Sequence, residues 1–203
     1  MLSAVRASWA LLFGIALIML GNGLQGSLLG LRATIEGFTT LTTGLIMTGY
    51  YVGFLVGSQV MPSFVRKVGH VRVFAALASL ASASVLLHTV FVDPWIWCFL
   101  RILTGISYAG LYIVAESWLN DQSTNQTRGQ ILSIYMVISL GGLGLGQLLL
   151  NVTDPAGSGL FILVSVLISL ALMPILLTTG SAPDFSDSDK IGIKQLYRAS
   201  PLG

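Results

Sequence analysis

Two ionisable residues lie inside a long apolar stretch of this sequence. Arg101 and Glu116 are 15 residues apart within the segment 94–118. An ionisable side chain is costly in hydrocarbon unless it is paired or faces water, so each is a candidate for binding an ion or a solute. In a helix the two residues would be separated by about 22 Å, which is too far for them to pair with each other. Each therefore needs a partner from another segment.

Uncharged polar side chains accompany Arg101 in the apolar segments. They are amides and phenols, which bind solutes through hydrogen bonds: Asn22, Gln25, Tyr50, Gln59, Tyr108 and Tyr112. Together with Arg101 they are the predicted pathway for a substrate or ion. The alternative for Arg101 is a buried structural network in which Asn22 and Gln25 accept its hydrogen bonds, and a single Tyr is more often a packed side chain than a ligand.

Glu116 also has two interpretations. It is either a structural latch paired with a cation of the connection between the second and third apolar segments, predicted at 63–70, or a carboxylate that carries a proton. The available cations in or directly after that connection are Arg66, Lys67 and Arg72.

The other reactive residue types predict no enzyme. His70 and His88 are isolated, and the one cysteine, Cys98, lacks the partners of a disulfide or a metal motif. The sequence has no phosphate-binding glycine loop, and no Ser, His and Asp lie at depths where they could act together. We therefore expect no catalytic residue, no metal and no cofactor, and the net charge of +2 is too small to indicate nucleic acid binding.

The elements that position these residues are predicted membrane spans. Charged residues make up 9% of the chain and the mean hydropathy is +0.85, whereas about a quarter of a soluble domain is charged. This composition excludes a soluble enzyme and leaves room for six spans of about 20 residues. Apolar runs between charges and turn residues predict helices at 9–29, 41–62, 71–91, 94–118, 129–150 and 158–179. The prediction is an all-α, polytopic bundle over 1–180, followed by a polar cytoplasmic tail over 181–203.

The basic residues predict the orientation of this bundle. One basic residue, Arg32, falls in a connection on the side opposite the termini. Eight fall on the side of both termini: Arg6, Arg66, Lys67, Arg72, Arg128, Lys190, Lys194 and Arg198. Because cytoplasmic connections carry an excess of Lys and Arg, both termini are expected in the cytoplasm.

Several motifs together resemble the N-terminal half of a major facilitator superfamily transporter, over nearly the whole chain. Gly57 followed by the run Arg66-Lys67-Val68-Gly69-His70-Val71-Arg72 is similar to the family's signature after its second helix, although Arg66 replaces the customary aspartate. The run Arg101-Ile102-Leu103-Thr104-Gly105 is similar to its Arg-x-x-x-Gly element. Leu20-Gly21-Asn22-Gly23 and Glu116-Ser117-Trp118-Leu119 resemble an uncharacterised bacterial branch, the YcaD-like group.

The resemblance implies twelve helices in two halves, each built from two inverted three-helix repeats, with the substrate site between the halves. The expected function is ion-coupled transport of a small solute across the cell inner membrane of a bacterium. Its implied cytoplasmic gate comprises Arg66, Lys67, Gly69, Arg72 and Glu116.

Within the lipid bilayer, a second six-helix half is the expected partner. It could be a continuation of the chain, since Ser200-Pro201 looks like the start of another helix, a second copy, or another subunit. The alternative function is a non-transporting accessory subunit of a larger membrane complex, derived from a truncated transporter scaffold. Its docking seam would be the small-residue stripe Gly49, Gly53 and Gly57.

Overall fold

The computed structural model of the protein describes residues 2–177, with side chains from residue 9 onward. In this part of the chain six α-helices and no strands occur. They are α1 Leu2–Ile35, α2 Thr40–Val68, α3 His70–Val90, α4 Pro94–Asp121, α5 Arg128–Leu148 and α6 Gly159–Leu177. All six are long and apolar enough to cross a membrane, which confirms the predicted all-α membrane bundle. The predicted tail at 181–203 and the helix start at Ser200 lie outside the described residues.

The helices extend past several of the predicted ends. α1 continues to Ile35, and α2 runs through Pro62 to Val68. The predicted connection at 63–70 is therefore almost entirely helical, and Gly69 alone separates α2 from α3. Gly69 has a φ of +92°, a conformation that glycine adopts without the steric cost of a side chain, so the chain reverses at this one residue. The fully buried Val65 anchors the last turns of α2 in the core.

The packing of the helices repeats after the third one. α2 packs along α4, and α5 packs along α1 in the same way. α3 lies against α4 as α6 lies against α1, while α3 and α6 contact each other. Since each set has three helices, the second set crosses the bundle in the direction opposite to the first. This is the arrangement of two inverted repeats.

Glycines allow the closely paired helices to touch through their backbones. A Cβ atom on Gly53 or Gly105 would overlap the backbone of the partner helix, at Ile102 in α4 or Tyr50 in α2. In the α1–α5 pair, the glycines in the same situation are Gly23 and Gly146. Small residues let helices approach closely in membranes, where van der Waals packing drives association.

The expected docking seam on α2 is thus not free. Gly49, Gly53 and Gly57 are all buried, and the atoms next to them belong to α4. The stripe holds two helices of the same bundle together, so it offers no surface to a separate partner.

α1 and α4 form the centre of the bundle, with α2 and α5 at its sides. Within the most apolar 18-residue stretch of each helix, 61% of the residues are buried in α1 and in α4, against 22% in α2 and in α5. Every polar side chain that α1 and α4 turn inward must therefore find a partner inside the protein or in a water-filled space.

Candidate solute and ion site

Arg101 lies seven residues into α4 and is almost completely buried, with 5% of its surface exposed. Its Cζ atom is 4.6 Å from the centre of the Tyr50 ring on α2, which is a cation–π contact. Among residues 9–177, no carboxylate oxygen lies within 4.0 Å of its nitrogens. Its buried Nε has no hydrogen-bond partner. The guanidinium is thus stabilised by an aromatic face but has no counter-charge in the part of the chain that the structure describes.

The predicted structural network around Arg101 does not form. No hydrogen bond joins Arg101 to Asn22 or Gln25. Asn22 instead lies within hydrogen-bonding reach of the hydroxyl groups of Tyr50 and Tyr112. The amide of Gln25 is fully buried, and neither its oxygen nor its nitrogen has a hydrogen-bond partner. Of the two interpretations of Arg101, the structural network through Asn22 and Gln25 thus lacks its hydrogen bonds, because Asn22 lies against the tyrosines and Gln25 has no partner.

Tyrosines connect the predicted pathway residues into one cluster. The rings of Tyr50 and Tyr108 are 6.1 Å apart, and the fully buried hydroxyl of Tyr108 has no hydrogen-bond partner. Tyr112 donates a hydrogen bond to the sulfur of Met19, at 3.1 Å. The structure therefore brings together Asn22, Tyr50, Arg101, Tyr108 and Tyr112, and it buries Gln25 one helical turn from Asn22.

Gln59 does not join this cluster. Its side chain is exposed on α2, two residues beyond Gly57, which packs against α4. Two residues correspond to about 200° around a helix, so Gln59 lies on the face of α2 turned away from α4. Gln59 was predicted to line the pathway because it is polar. The face of α2 on which it lies could be assigned only once α4 was known to be the partner helix.

A groove of about 460 Å³ opens between α2, α4 and α5. Glu116 lies in it and accepts a hydrogen bond of 3.0 Å from the hydroxyl of Tyr135 on α5. The groove is mostly apolar apart from a few hydroxyl groups and this carboxylate, and its walls are Phe54, Ser58, Ala109, Tyr112, Ile113, Glu116, Tyr135, Met136, Ser139, Leu140 and Leu143. Tyr135 and Ser139 were absent from the predicted site. Their spacing of four residues on α5 places them on one face and is the signal that could have identified them.

The predicted latch between Glu116 and a cation is not formed. No Lys or Arg nitrogen in the described part lies within 4.0 Å of the Glu116 carboxylate. Arg66, Lys67 and Arg72 are exposed, and Arg66 donates to the hydroxyl of Ser63 at 3.1 Å. Because α2 continues to Val68, Arg66 and Lys67 belong to its last turn rather than to a loop that could fold over α4.

A hydrogen bond of His70 holds the α2–α3 connection against α4 instead. His70, the first residue of α3, is buried, and its Nε2 lies 3.0 Å from the hydroxyl of Ser117. Its ring is 6.2 Å from that of Trp118. The isolated position of His70 in the sequence thus concealed a contact directly beside Glu116.

The opposite side of the bundle carries an ion pair. Arg32, in the last turn of α1, bonds to the Glu36 carboxylate at 2.6 Å. It also donates to the carbonyl groups of the α5–α6 connection, at Pro155, Ala156 and Gly157. These bonds tie the end of α1 to the start of α6 on the side far from Glu116.

The sequence of this chain is similar to those of known proteins. The profile of the Major Facilitator Superfamily matches residues 11–198. The chain is 28% identical over 198 residues to an uncharacterized MFS-type transporter of Yersinia pestis (strain Pestoides F), which covers 95% of this chain and 51% of that protein. It is 28% identical over 173 residues to the uncharacterized MFS-type transporter YcaD of Escherichia fergusonii, covering 85% of this chain and 45% of the relative. With the YcaD of Salmonella newport the identity is 29% over 175 residues. The chain spans about half the length of these curated relatives.

Proposed function

Because the chain belongs to the major facilitator superfamily, whose members are transporters and not enzymes, we propose that it forms the N-terminal six-helix half of a secondary transporter for a small solute. The observation that carries this proposal is the polar cluster around Arg101 at the centre of a bundle of membrane-spanning helices. Polar groups inside a membrane are costly and mark solute or ion pathways. The names of the relatives, all transporters, favour this function over an accessory subunit.

A line of aromatic rings connects the cluster to the groove. From the ring of Tyr50, which contacts Arg101, the next ring is that of Phe54 at 6.1 Å. The ring of Tyr112 follows, 5.9 Å from Phe54, and Tyr112 lines the groove that contains Glu116. Aromatic faces and hydroxyl groups along this line would replace the hydration shell of a solute as it moves.

Glu116 is the proposed site of ion coupling. Within the described residues it is the one acidic side chain that lines the groove, and it is exposed there. A carboxylate in such a position exchanges its proton with water when the groove is open to one side. Glu116 accepts a hydrogen bond from Tyr135 of α5, so a proton carried on this carboxylate would alter the contact between α4 and α5.

A second six-helix half would complete the groove. The carboxylate of Glu116 is exposed in this groove, and a charged group that faced lipid there would lose its contact with water. α2 and α5, the least buried helices, form two of its walls. The relatives have about twice the length of this chain, which supports a second half of the same kind as the partner.

The charges support a cytoplasmic position for both termini. On the side where α2 ends, the helix ends carry Arg66, Lys67, Arg72 and Arg128, and on the other side the end of α1 carries Arg32. With bacterial relatives, this distribution points to the inner membrane. The groove with Glu116 would then open near the cytoplasm, beside the exposed gate residues.

A proton-flux measurement tests the coupling. The protein with its second half would be incorporated into vesicles with an outward-facing groove and a pH-sensitive dye, and a panel of small organic acids, amines and neutral solutes would be added. We expect at least one solute to drive proton movement, and Glu116→Gln to abolish it because an amide carries no proton. Asp121→Asn, at the exposed end of the same helix, is the matched control and should retain proton movement. Proton movement that persists in Glu116→Gln would contradict the assignment.

A further inference from the structure

The buried guanidinium of Arg101 needs a negative charge that the described residues do not supply. The side chains that interact with it are tyrosines: the ring of Tyr50 lies against the guanidinium, and Tyr108 and Tyr51 lie nearby. The other ionisable side chain near it is His88 of α3, which is no source of negative charge. An unpaired charge held away from water destabilises the protein. A membrane protein that keeps such a charge in its core is therefore expected to use it for binding an ion or a solute.

Two further hydrogen-bonding groups in this part of the bundle are unpartnered and completely buried. They are the amide of Gln25 on α1 and the hydroxyl of Tyr108 on α4. Counted from the side where α4 begins, Arg101, Gln25 and Tyr108 lie about 10, 15 and 21 Å deep at 1.5 Å per residue. Gln25 follows Asn22 by three residues and so shares its face of α1, and Asn22 lies within reach of Tyr50.

We infer that this cluster binds the anionic group of the solute, and that the solute is a carboxylate with an aromatic or apolar body. The inference rests on the proposed transport function. A guanidinium presents two parallel N–H groups that match the two oxygens of a carboxylate. The amide N–H of Gln25 and the O–H of Tyr108 are further donors, and both are unused in the structure.

The surroundings of the cluster indicate the character of the rest of the solute. The rings of Tyr50, Phe54 and Tyr112 lead from Arg101 to a groove whose walls are mainly apolar. Such walls offer dispersion contacts to an aromatic or aliphatic body and few hydrogen bonds to a sugar. One cation at the head of this path matches a single negative charge.

A competing source for the negative charge is a carboxylate on the second half of the transporter. That carboxylate would neutralise Arg101 permanently, and the cluster would then have no preference for an anion. The two possibilities differ in whether binding depends on the charge of the ligand, which a set of ligands with one shape can measure.

The test uses benzoate, benzamide and benzylammonium as probes. Binding to the purified transporter with both halves, in lipid nanodiscs, is measured by calorimetry. We expect benzoate to bind more tightly than either of the other probes. We expect Arg101→Gln to weaken the binding of benzoate by roughly tenfold to a hundredfold, the range for a lost hydrogen bond to a charged group. Arg128→Gln, which alters an exposed arginine, is the matched control and should leave binding unchanged.

A second variant covers the case in which Arg101→Gln does not fold. Gln25→Leu removes the unpartnered amide, keeps a side chain of similar size and breaks no hydrogen bond in the structure. We expect it to weaken benzoate severalfold without lowering the thermal stability of the protein.

Three results would overturn the inference: no measurable binding of benzoate, equal binding of benzoate and benzamide, or unchanged benzoate binding in both variants. Failure of the transport function looks different. If benzoate binds through Arg101 but is never carried across vesicle membranes, the anion site is supported and the transport function is contradicted. If the Arg101→Gln variant still transports a neutral or cationic solute, the transport function is supported and the role of Arg101 as the anion site is contradicted.

Discussion

Tyr50 contacts more of the candidate residues than any other side chain in the cluster. Its ring faces Arg101 and lies 6.1 Å from the ring of Tyr108, and its hydroxyl is within reach of Asn22. One phenol thereby joins α1, α2 and α4. A movement of α2 against α4 would change the contact of Arg101, which gives a physical route from solute binding to helix motion.

At this scale, removal of the Arg101 charge separates a functional role from a structural one. We expect Arg101→Met to abolish transport without lowering the thermal unfolding temperature, because the arginine makes no ion pair among the described residues and its positive charge is costly to bury. Vesicle transport and thermal unfolding of the purified protein would be measured in parallel.

Arg32→Met provides the contrast for that variant. Arg32 pairs with Glu36 and donates to three carbonyl groups, so its loss should destabilise the protein by about 1.5–3 kcal/mol, the range for hydrogen bonds to charged groups. If Arg101→Met were the more destabilising of the two, Arg101 would have a structural role.

At the scale of helices, glycines determine which pairs cross closely. The crossing of α5 with α1 depends on Gly142 and Gly146, whereas Gly141 and Gly144 of the same helix have no atom within 4 Å of an added Cβ. Periodicity along α5 predicts a glycine-rich helix but does not distinguish these two sets. The packed partner α1 distinguishes them.

The two sets give a matched pair of substitutions on one helix. We expect Gly146→Ala to destabilise the bundle by about 1–3 kcal/mol, since the new methyl group would overlap the backbone of Leu20 and force the helices apart. Gly144→Ala should be neutral or stabilising, because it meets open space and alanine favours the helix. Thermal unfolding in detergent measures both, and equal effects would contradict the proposed crossing.

At the scale of the whole molecule, the groove between α2, α4 and α5 is the feature that a second half would convert into a pathway. Its polar residues need water, whereas the exposed apolar faces of α6 suit lipid. The two kinds of surface can therefore be distinguished by their access to water in a membrane.

Cysteine labelling tests that distinction. In a Cys98→Ser background with both halves present, Ser58→Cys in the groove should react with a membrane-impermeant thiol reagent from the side where α2 ends. Val166→Cys on the exposed face of α6 should not react from either side, because thiolates do not form in hydrocarbon. Reaction of both positions, or of neither, would contradict a water-filled path at the groove.

The sequence predicted the elements of this protein far better than the contacts between them. Length, apolar runs and charge were enough for six helices, because burial in lipid demands about 20 apolar residues per span whatever the neighbours are. The same reasoning ended α2 near Pro62, while the structure continues it to Val68. The extra turns carry Arg66 and Lys67 out of the predicted connection, and with them the expected latch to Glu116 was lost.

Residue chemistry and depth in a helix follow from the chain itself, so Arg101, Asn22, Tyr50 and the other polar residues could be chosen as candidates before any contact was known. The face that each helix turns to its neighbours depends on packing, which is a property of pairs of helices. Packing placed Gln59 outside the cluster, left Gln25 and Tyr108 without partners, and gave Glu116 a tyrosine on α5 rather than a cation. The apolar interior of the bilayer determines which segments form helices, and close packing through small residues determines how those helices contact each other.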